Sequence, residues 1–267
     1  GGRLAWDKDG GLLVTLGDLG FNGLDGEVPF AQRTSGNSYG KIWRIDPKSG
    51  SVTLVSIGHR NPQGLTVARD GRIWESEHGP QGGDEINLIQ DGGNCGWPLV
   101  TYGTKYGSTG WPLDPNGYDH RECDEPALSF VPSVATSALI ELTGPMFPQW
   151  NRDLMLASLR TQSLYRLRVQ ADRIIYSEPI GLGDRLRDIV ELPDGRIVAW
   201  VDTGVLLELS LDARNSAFNR FCVGCHAPKF GAAAGPDLSG VVGRRIASVD
   251  GFDYSVALRT ADGVWTE

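Results

Sequence analysis

The residues best equipped for chemistry lie between Gly58 and Trp97, in GHRNPQGLTVARDGRIWESEHGPQGGDEINLIQDGGNCGW. Arg60, Asn61 and Gln63 fall in a loop between two apolar, strand-like segments. A second loop, His78-Gly79-Pro80-Gln81-Gly82-Gly83, runs straight into Asp84 and Glu85. A guanidinium can grip a carboxylate through two parallel hydrogen bonds, and glycine lets the backbone come close to a ligand. Such a set, with side-chain amides beside it, suits a planar anionic ligand bearing several carboxylates. Carbonyl oxygens at Gly79 and Pro80 could face a hard cation such as calcium. The plainer reading is a surface loop with an ordinary arginine. Downstream, alternation in Arg185-Leu186-Arg187 puts two cations on one face of a strand. That arrangement costs energy unless something anionic lies between them. A surface strand with two solvated arginines is the plain alternative.

A different chemistry is written in Cys222-Val223-Gly224-Cys225-His226, the covalent attachment signature of c-type haem. The two thiols would form thioethers and His226 would ligate the iron. A zinc reading of the same residues lacks a fourth ligand. Attachment of such a haem takes place outside the bacterial cytoplasm, so the motif predicts a periplasmic protein. Cys95 and Cys123 stand apart from it; in an oxidising compartment they could pair, and otherwise they are two buried thiols. The 267 residues are 40% hydrophobic and 22% charged, ordinary for a soluble globular chain. With 36 Gly and only 2 Met, strands and tight turns fit better than long helices. A net charge of −8 without a basic tract argues against nucleic acid as a partner. No run of about 18 apolar residues is present to span a membrane. No signal peptide is visible.

The elements that must position these residues repeat. Apolar–turn–apolar units centre on Asp9-Gly10, Asp70-Gly71 and Asp194-Gly195, and a variant covers 148–169. Recurrence over so long a period predicts propeller blades, each a small antiparallel sheet that cannot bury its faces alone. About four are present. GKIWRIDPKSGSVTLVSIG at 40–58 reads as two strands around Pro47–Gly50, and 19–40 as a loop. Residues 102–130 read as a long loop lining or covering a cleft. Within it Tyr106 and Trp111 could stack on a ligand ring or pack under the loop, and His120 reads as solvated.

GHRNPQGL followed by EHGPxGGDEINLI and GGNxGWP resembles the soluble quinoprotein glucose and sorbosone dehydrogenases, of the aldose sugar dehydrogenase type. The resemblance covers about residues 1 to 210, most strongly in that stretch. It implies an all-β, six-bladed β-propeller that carries pyrroloquinoline quinone (PQQ) and calcium. With four blades counted, an N-terminal third is expected to be missing. Gly1-Gly2-Arg3-Leu4 matches the second half of a family pattern whose catalytic base is a His, expected two residues before residue 1. This segment is therefore expected to be inactive alone. By the same resemblance Asp18 would hydrogen-bond that base, its plain alternative being a turn residue. Arg60 would stabilise charge on the quinone, Asn61 and Gln63 would orient it, and Gly79 and Pro80 would hold calcium through their carbonyls. Arg160, Arg185 and Arg187 would hold the cofactor and its carboxylates; the first is often Lys in the family, so Arg160 is a departure.

From residue 211 onward the sequence resembles a class I cytochrome c, a small α-helical domain. Gly235-Pro236-Asp237-Leu238 matches the loop whose Pro carbonyl receives the proximal His N–H. Gly251-Phe252-Asp253-Tyr254-Ser255 and Val264-Trp265 match later elements, and the distal ligand is expected beyond residue 267. The domains are thus 1–210, a partial dehydrogenase propeller, and 211–267, a partial cytochrome. Together they imply oxidation of an aldose at its anomeric carbon by hydride transfer to PQQ. Electrons would pass to haem c and on to an acceptor such as a cytochrome or quinone. The resemblance implies export by a signal peptide outside this segment. The competing reading is a non-redox propeller, a calcium-dependent lactonase or a docking module, with a cytochrome appended.

Overall fold

In a computed structural model, residues 2–21, 32, 35–107, 119–211, 222–226, 235–238 and 240–266 are described. The chain divides into two units, Gly1–Ser210 and Leu211–Glu267. The first is all β among its described residues, apart from short 3-10 turns at His120–Glu122 and Pro148–Trp150.

Among the described residues four sheets follow one another along the chain. The first pairs β1 (Leu4–Trp6), β2 (Leu12–Leu16), β3 (Lys41–Ile45) and β4 (Val52–Ile57) as an antiparallel meander, with β8 (Gly93–Asn94) added parallel to β4. The second holds β5 (Pro62–Val67), β6 (Ile73–Glu77), β7 (Asp84–Ile89) and β9 (Leu128–Phe130). The third holds β10 (Thr136–Glu141), β11 (Leu154–Ser158), β12 (Ser163–Gln170) and β13 (Arg173–Gly181). The fourth holds β14 (Leu186–Glu191), β15 (Ile197–Val201) and β16 (Leu206–Leu209). The Asp-Gly steps of the three repeat units, at 9–10, 70–71 and 194–195, all sit between the first and second strands of a sheet, with Gly10, Gly71 and Gly195 at φ of 83°, 89° and 86°. Only glycine takes that conformation without steric cost, which is why the step marks the hairpin. The third sheet replaces it with a longer connection carrying the Pro148–Trp150 turn, so its unit looks different in sequence. The loop expected over 102–130 ends in a strand, β9, because Leu128–Phe130 can pair with the outer edge of β7.

The first strands of the sheets, β1, β5, β10 and β14, pack against one another in order, the arrangement of propeller blades. Gly64 on β5 shows how close this is: a Cβ there would lie 2.7 Å from the Leu139 side chain on β10. A core fills each gap between successive sheets. Leu13, Ile42, Val55 and Leu65 pack between the first and second, and Trp74, Ile86, Leu154 and Leu156 between the second and third. Met155, Leu164, Leu186 and Ile197 pack between the third and fourth. Strand β11 is buried on both faces, so Leu154 and Leu156 turn one way and Met155 and Ala157 the other.

In the second unit the described helices are α1 (Val223–His226) and α2 (Val256–Thr260), the latter capped by Ser255 Oγ, which accepts the Leu258 N–H at 3.4 Å. No helix among the described residues is long and apolar enough to cross a membrane. Most of 19–40, and Trp111, lie outside the described residues.

Candidate cofactor and active site

Arg60 enters the site from the crossing between β4 and β5, and the end of β6 comes up beside it. Glu77 Oε2 accepts the backbone N–H of Arg60 at 2.5 Å and of Asn61 at 3.1 Å, so one buried carboxylate fixes two consecutive peptides of the loop. Arg60 Nη1 then donates to the carbonyls of His78 at 3.1 Å and Gly79 at 2.8 Å. The guanidinium carbon lies 5.3 Å from the centroid of one Trp97 ring and 5.8 Å from that of Tyr106. A cation over an aromatic face is attracted by the ring quadrupole, so Arg60 is gripped at its head and on its flanks.

The loop after His78 is shaped by Asp84 at the start of β7. Its Oδ1 accepts Gly79 N–H at 3.0 Å and Ser133 O–H at 2.9 Å, and its Oδ2 accepts Ala135 N–H at 2.6 Å. Gly79 has no room for a side chain, because a Cβ would run into the Gly82 and Gly83 carbonyls. The loop borders an open cleft of about 210 Å³ lined by His78, Gly79, Pro80, Gln81, Tyr106 and Arg160, among others. A quinone with carboxylates and a hard cation both fit this lining. Arg160 supplies positive charge, and Gly79 and Pro80 supply main-chain oxygens. The Gly79 carbonyl takes Arg60, yet a carbonyl oxygen has a second lone pair for a cation. Tyr106 is 67% exposed at this cleft rather than packed beneath its loop.

The remaining expected residues fall in three places. Gln63 Nε2 donates to Asn61 Oδ1 at 2.8 Å, so those amides orient each other. Asp18, buried, accepts the Gly20 N–H at 3.0 Å in a local turn and the Trp97 indole N–H at 2.8 Å. Arg185 and Arg187 share one carboxylate: Arg185 Nε donates to Asp202 Oδ2 at 2.7 Å, and Arg187 Nε to Asp202 Oδ1. The anion that two adjacent cations demand is thus supplied by the chain itself. The two arginines hold the Asp202 carboxyl below the usual carboxylate range.

Two features went unread in the sequence. Arg3 reaches across three other sheets, Nε donating to the Gln63 carbonyl at 2.5 Å and Nη2 to that of Ser137 at 2.5 Å, while Nη1 pairs with Asp188 at 3.2 Å. The second is a buried polar cluster behind the Arg60 loop. Register sets Glu75 opposite Asn87 and Glu77 opposite Glu85 on one face of β6 and β7. His59, Glu75 and Glu77 bring ligand-type atoms within 4.8 Å of one another. Asn87 Nδ2 donates to Glu75 at 3.1 Å and Glu77 at 3.4 Å, while Glu75 Oε1 has no partner. Burial first, and then the charge of Glu77, push the Glu75 and Glu85 carboxyls well above the usual glutamate range. Glu-x-Glu facing Glu-x-Asn was the available signal, but it needs the strand register to be seen. Cys95 sits against this cluster and is not bridged to Cys123; its thiol is pushed well up by burial and the nearby carboxylates.

In the second unit His226 Nδ1 lies 2.7 Å from the Pro236 carbonyl. The carbonyl can only accept, so Nδ1 carries the proton and Nε2 is left with its lone pair for a metal. Gly235 is required beside it, since a Cβ would run into the imidazole ring.

The sequence model of the glucose/sorbosone dehydrogenase family matches residues 1–208. The chain belongs to the glucose/sorbosone dehydrogenase family. It is 32% identical over 228 residues to the aldose sugar dehydrogenase YliI of Escherichia coli, covering 79% of this chain and 59% of that one. Its fold matches the PQQ-bound form of the aldose sugar dehydrogenase of Streptomyces coelicolor with a TM-score of 0.59 at 25% identity, over 79% of this chain and 62% of that one. A stretch of 54 residues, 20% of this chain, is 44% identical to 27% of cytochrome cy of Rhodobacter capsulatus. The chain spans 55% to 59% of the length of the curated relatives it matches first.

Proposed function

We propose that this chain is part of a PQQ- and calcium-dependent dehydrogenase that oxidises an aldose at its anomeric carbon and relays electrons to an attached haem c. The supporting observation is the convergence of Arg60, the Gly79 and Pro80 carbonyls and Arg160 on one loop and its cleft. When bound, the quinone supplies a hydride acceptor that no side chain can offer, and calcium supplies Lewis acidity. Arg60, already aimed, stabilises negative charge as it develops on the acceptor oxygen. Asn61 and Gln63 orient, and Arg160, Arg185 and Arg187 bind carboxylate. Asp18 orients a histidine base and favours its protonated form as the sugar hydroxyl gives up its proton. Cys222 and Cys225 anchor the haem and His226 ligates it, in a cytochrome domain tethered so that the acceptor's effective concentration is high. The complete propeller has six blades and works in the periplasm.

The test uses the full-length protein, stripped by chelation and given PQQ, calcium, a panel of aldoses and an artificial dye. Dye reduction that needs quinone, calcium and sugar together is the expected result. Dye reduction that ignores the quinone, or none with every component present, contradicts the proposal.

A further inference from the structure

Asp18, Arg60 and Trp97 close a three-membered circuit. The Asp18 N–H donates to the Arg60 carbonyl at 2.8 Å. The Arg60 guanidinium stands over the Trp97 ring at 5.3 Å. The Trp97 indole N–H donates to Asp18 Oδ2 at 2.8 Å. Trp97 is 5% exposed and Asp18 8%, so their hydrogen bond is sheltered from solvent, while Arg60 over the ring is half-buried. The ring is itself anchored, because its backbone N–H donates to the Gly58 carbonyl at 3.0 Å, two residues before Arg60. An indole has one donor, and burial demands that it be satisfied. Here it meets a carboxylate, the stronger kind of acceptor. A single side chain therefore carries two contacts of different chemistry: its edge holds Asp18 and its face holds Arg60.

Resting on the function proposed above, we infer that Trp97 is a positioning residue that sets the sugar-side carboxylate and the quinone-side cation relative to each other. The two contacts can be removed separately. Trp97→Phe keeps an aromatic face under Arg60 and deletes the N–H; Trp97→Leu deletes both. The circuit predicts that Trp97→Phe binds PQQ within about twofold of the parent while kcat for sugar falls about tenfold, the scale of one buried hydrogen bond. Trp97→Leu lowers kcat similarly and also weakens PQQ binding about fivefold, as loss of a half-buried cation–aromatic contact would.

The experiment is a PQQ titration, read by the absorbance of the bound quinone, beside sugar kinetics on full-length protein carrying each variant. Asp18→Asn, which leaves the ring in place, should reproduce the Trp97→Phe split between kcat and affinity. A purely structural role moves kcat, affinity and melting temperature together in Trp97→Phe. That pattern, or a Trp97→Phe variant equal to the parent in every respect, overturns the inference. Should the parent itself bind no PQQ, the reading of function falls instead, which separates the two failures.

Discussion

Arg60 and the Arg185–Arg187 pair are the same side chain in two different settings. Arg60 has its peptide held by buried Glu77, its head on two main-chain carbonyls and its flanks against Trp97 and Tyr106. Arg185 and Arg187 have side chains 47% and 46% exposed, and both lean on the single carboxylate of Asp202. A fork held by backbone oxygens already points one way, and ordering it on binding costs little. A fork held by an exposed carboxylate is weakly tied and can turn toward another carboxylate that arrives. Under the function proposed above, Arg60 would stabilise charge in the reaction and the pair would capture the ligand's acid groups.

Substituting Arg60→Lys breaks this contrast hardest. The ammonium keeps the charge but loses the fork, and kcat should fall by about 10²–10³, the cost of losing one preorganised donor at a developing charge. Steady-state kinetics with saturating PQQ checks it. Arg187→Lys should raise the PQQ dissociation constant several-fold and leave kcat at saturation nearly unchanged. Equal kcat losses in the two variants would erase the distinction.

The support beneath Arg60 comes next in size. Glu77→Ala strands two half-buried backbone N–H groups, each costing up to about 1–3 kcal/mol, and should lower the urea midpoint clearly. Asp202→Asn should leave that midpoint where it is.

Glu75 and Glu85 give the comparison a pH dependence. Their folded carboxyls hold protons that the unfolded chain releases. Stability is therefore greatest below the ordinary glutamate pKa and declines as pH rises from there toward the raised folded values. Urea melts from pH 4 upward, in protein free of quinone and metal, should show this decline, and Glu75→Gln should flatten it. A parent whose stability rises over that range would contradict the assignment.

How much of this was legible in the sequence follows from range of interaction. Asp9-Gly10, Asp70-Gly71 and Asp194-Gly195 announced their hairpins because turn chemistry is local. The third sheet showed only as a variant unit over 148–169, since β10 and β11 are joined by a longer connection built around Pro148–Trp150. Residue type marks the loops of Arg60 and Gly79 as candidates for ligand binding, but does not show the Trp97 stack or the Glu77 clamp, which arise from strands paired far along the chain. Alternate glutamates at 75 and 77 look like a solvated face until register sets Glu85 and Asn87 against them. Asp202 looks like a turn residue until the β14–β15 hairpin carries it beside Arg185, whose carbonyl accepts the Asp202 N–H at 3.0 Å.

Rapid mixing of quinone- and calcium-loaded full-length protein with aldose, followed at the haem absorption bands, tests the central claim most directly. The account predicts haem reduction that requires sugar and quinone and saturates with sugar concentration. A haem that stays oxidised while sugar is consumed would contradict the relay, and sugar left untouched would contradict the dehydrogenase.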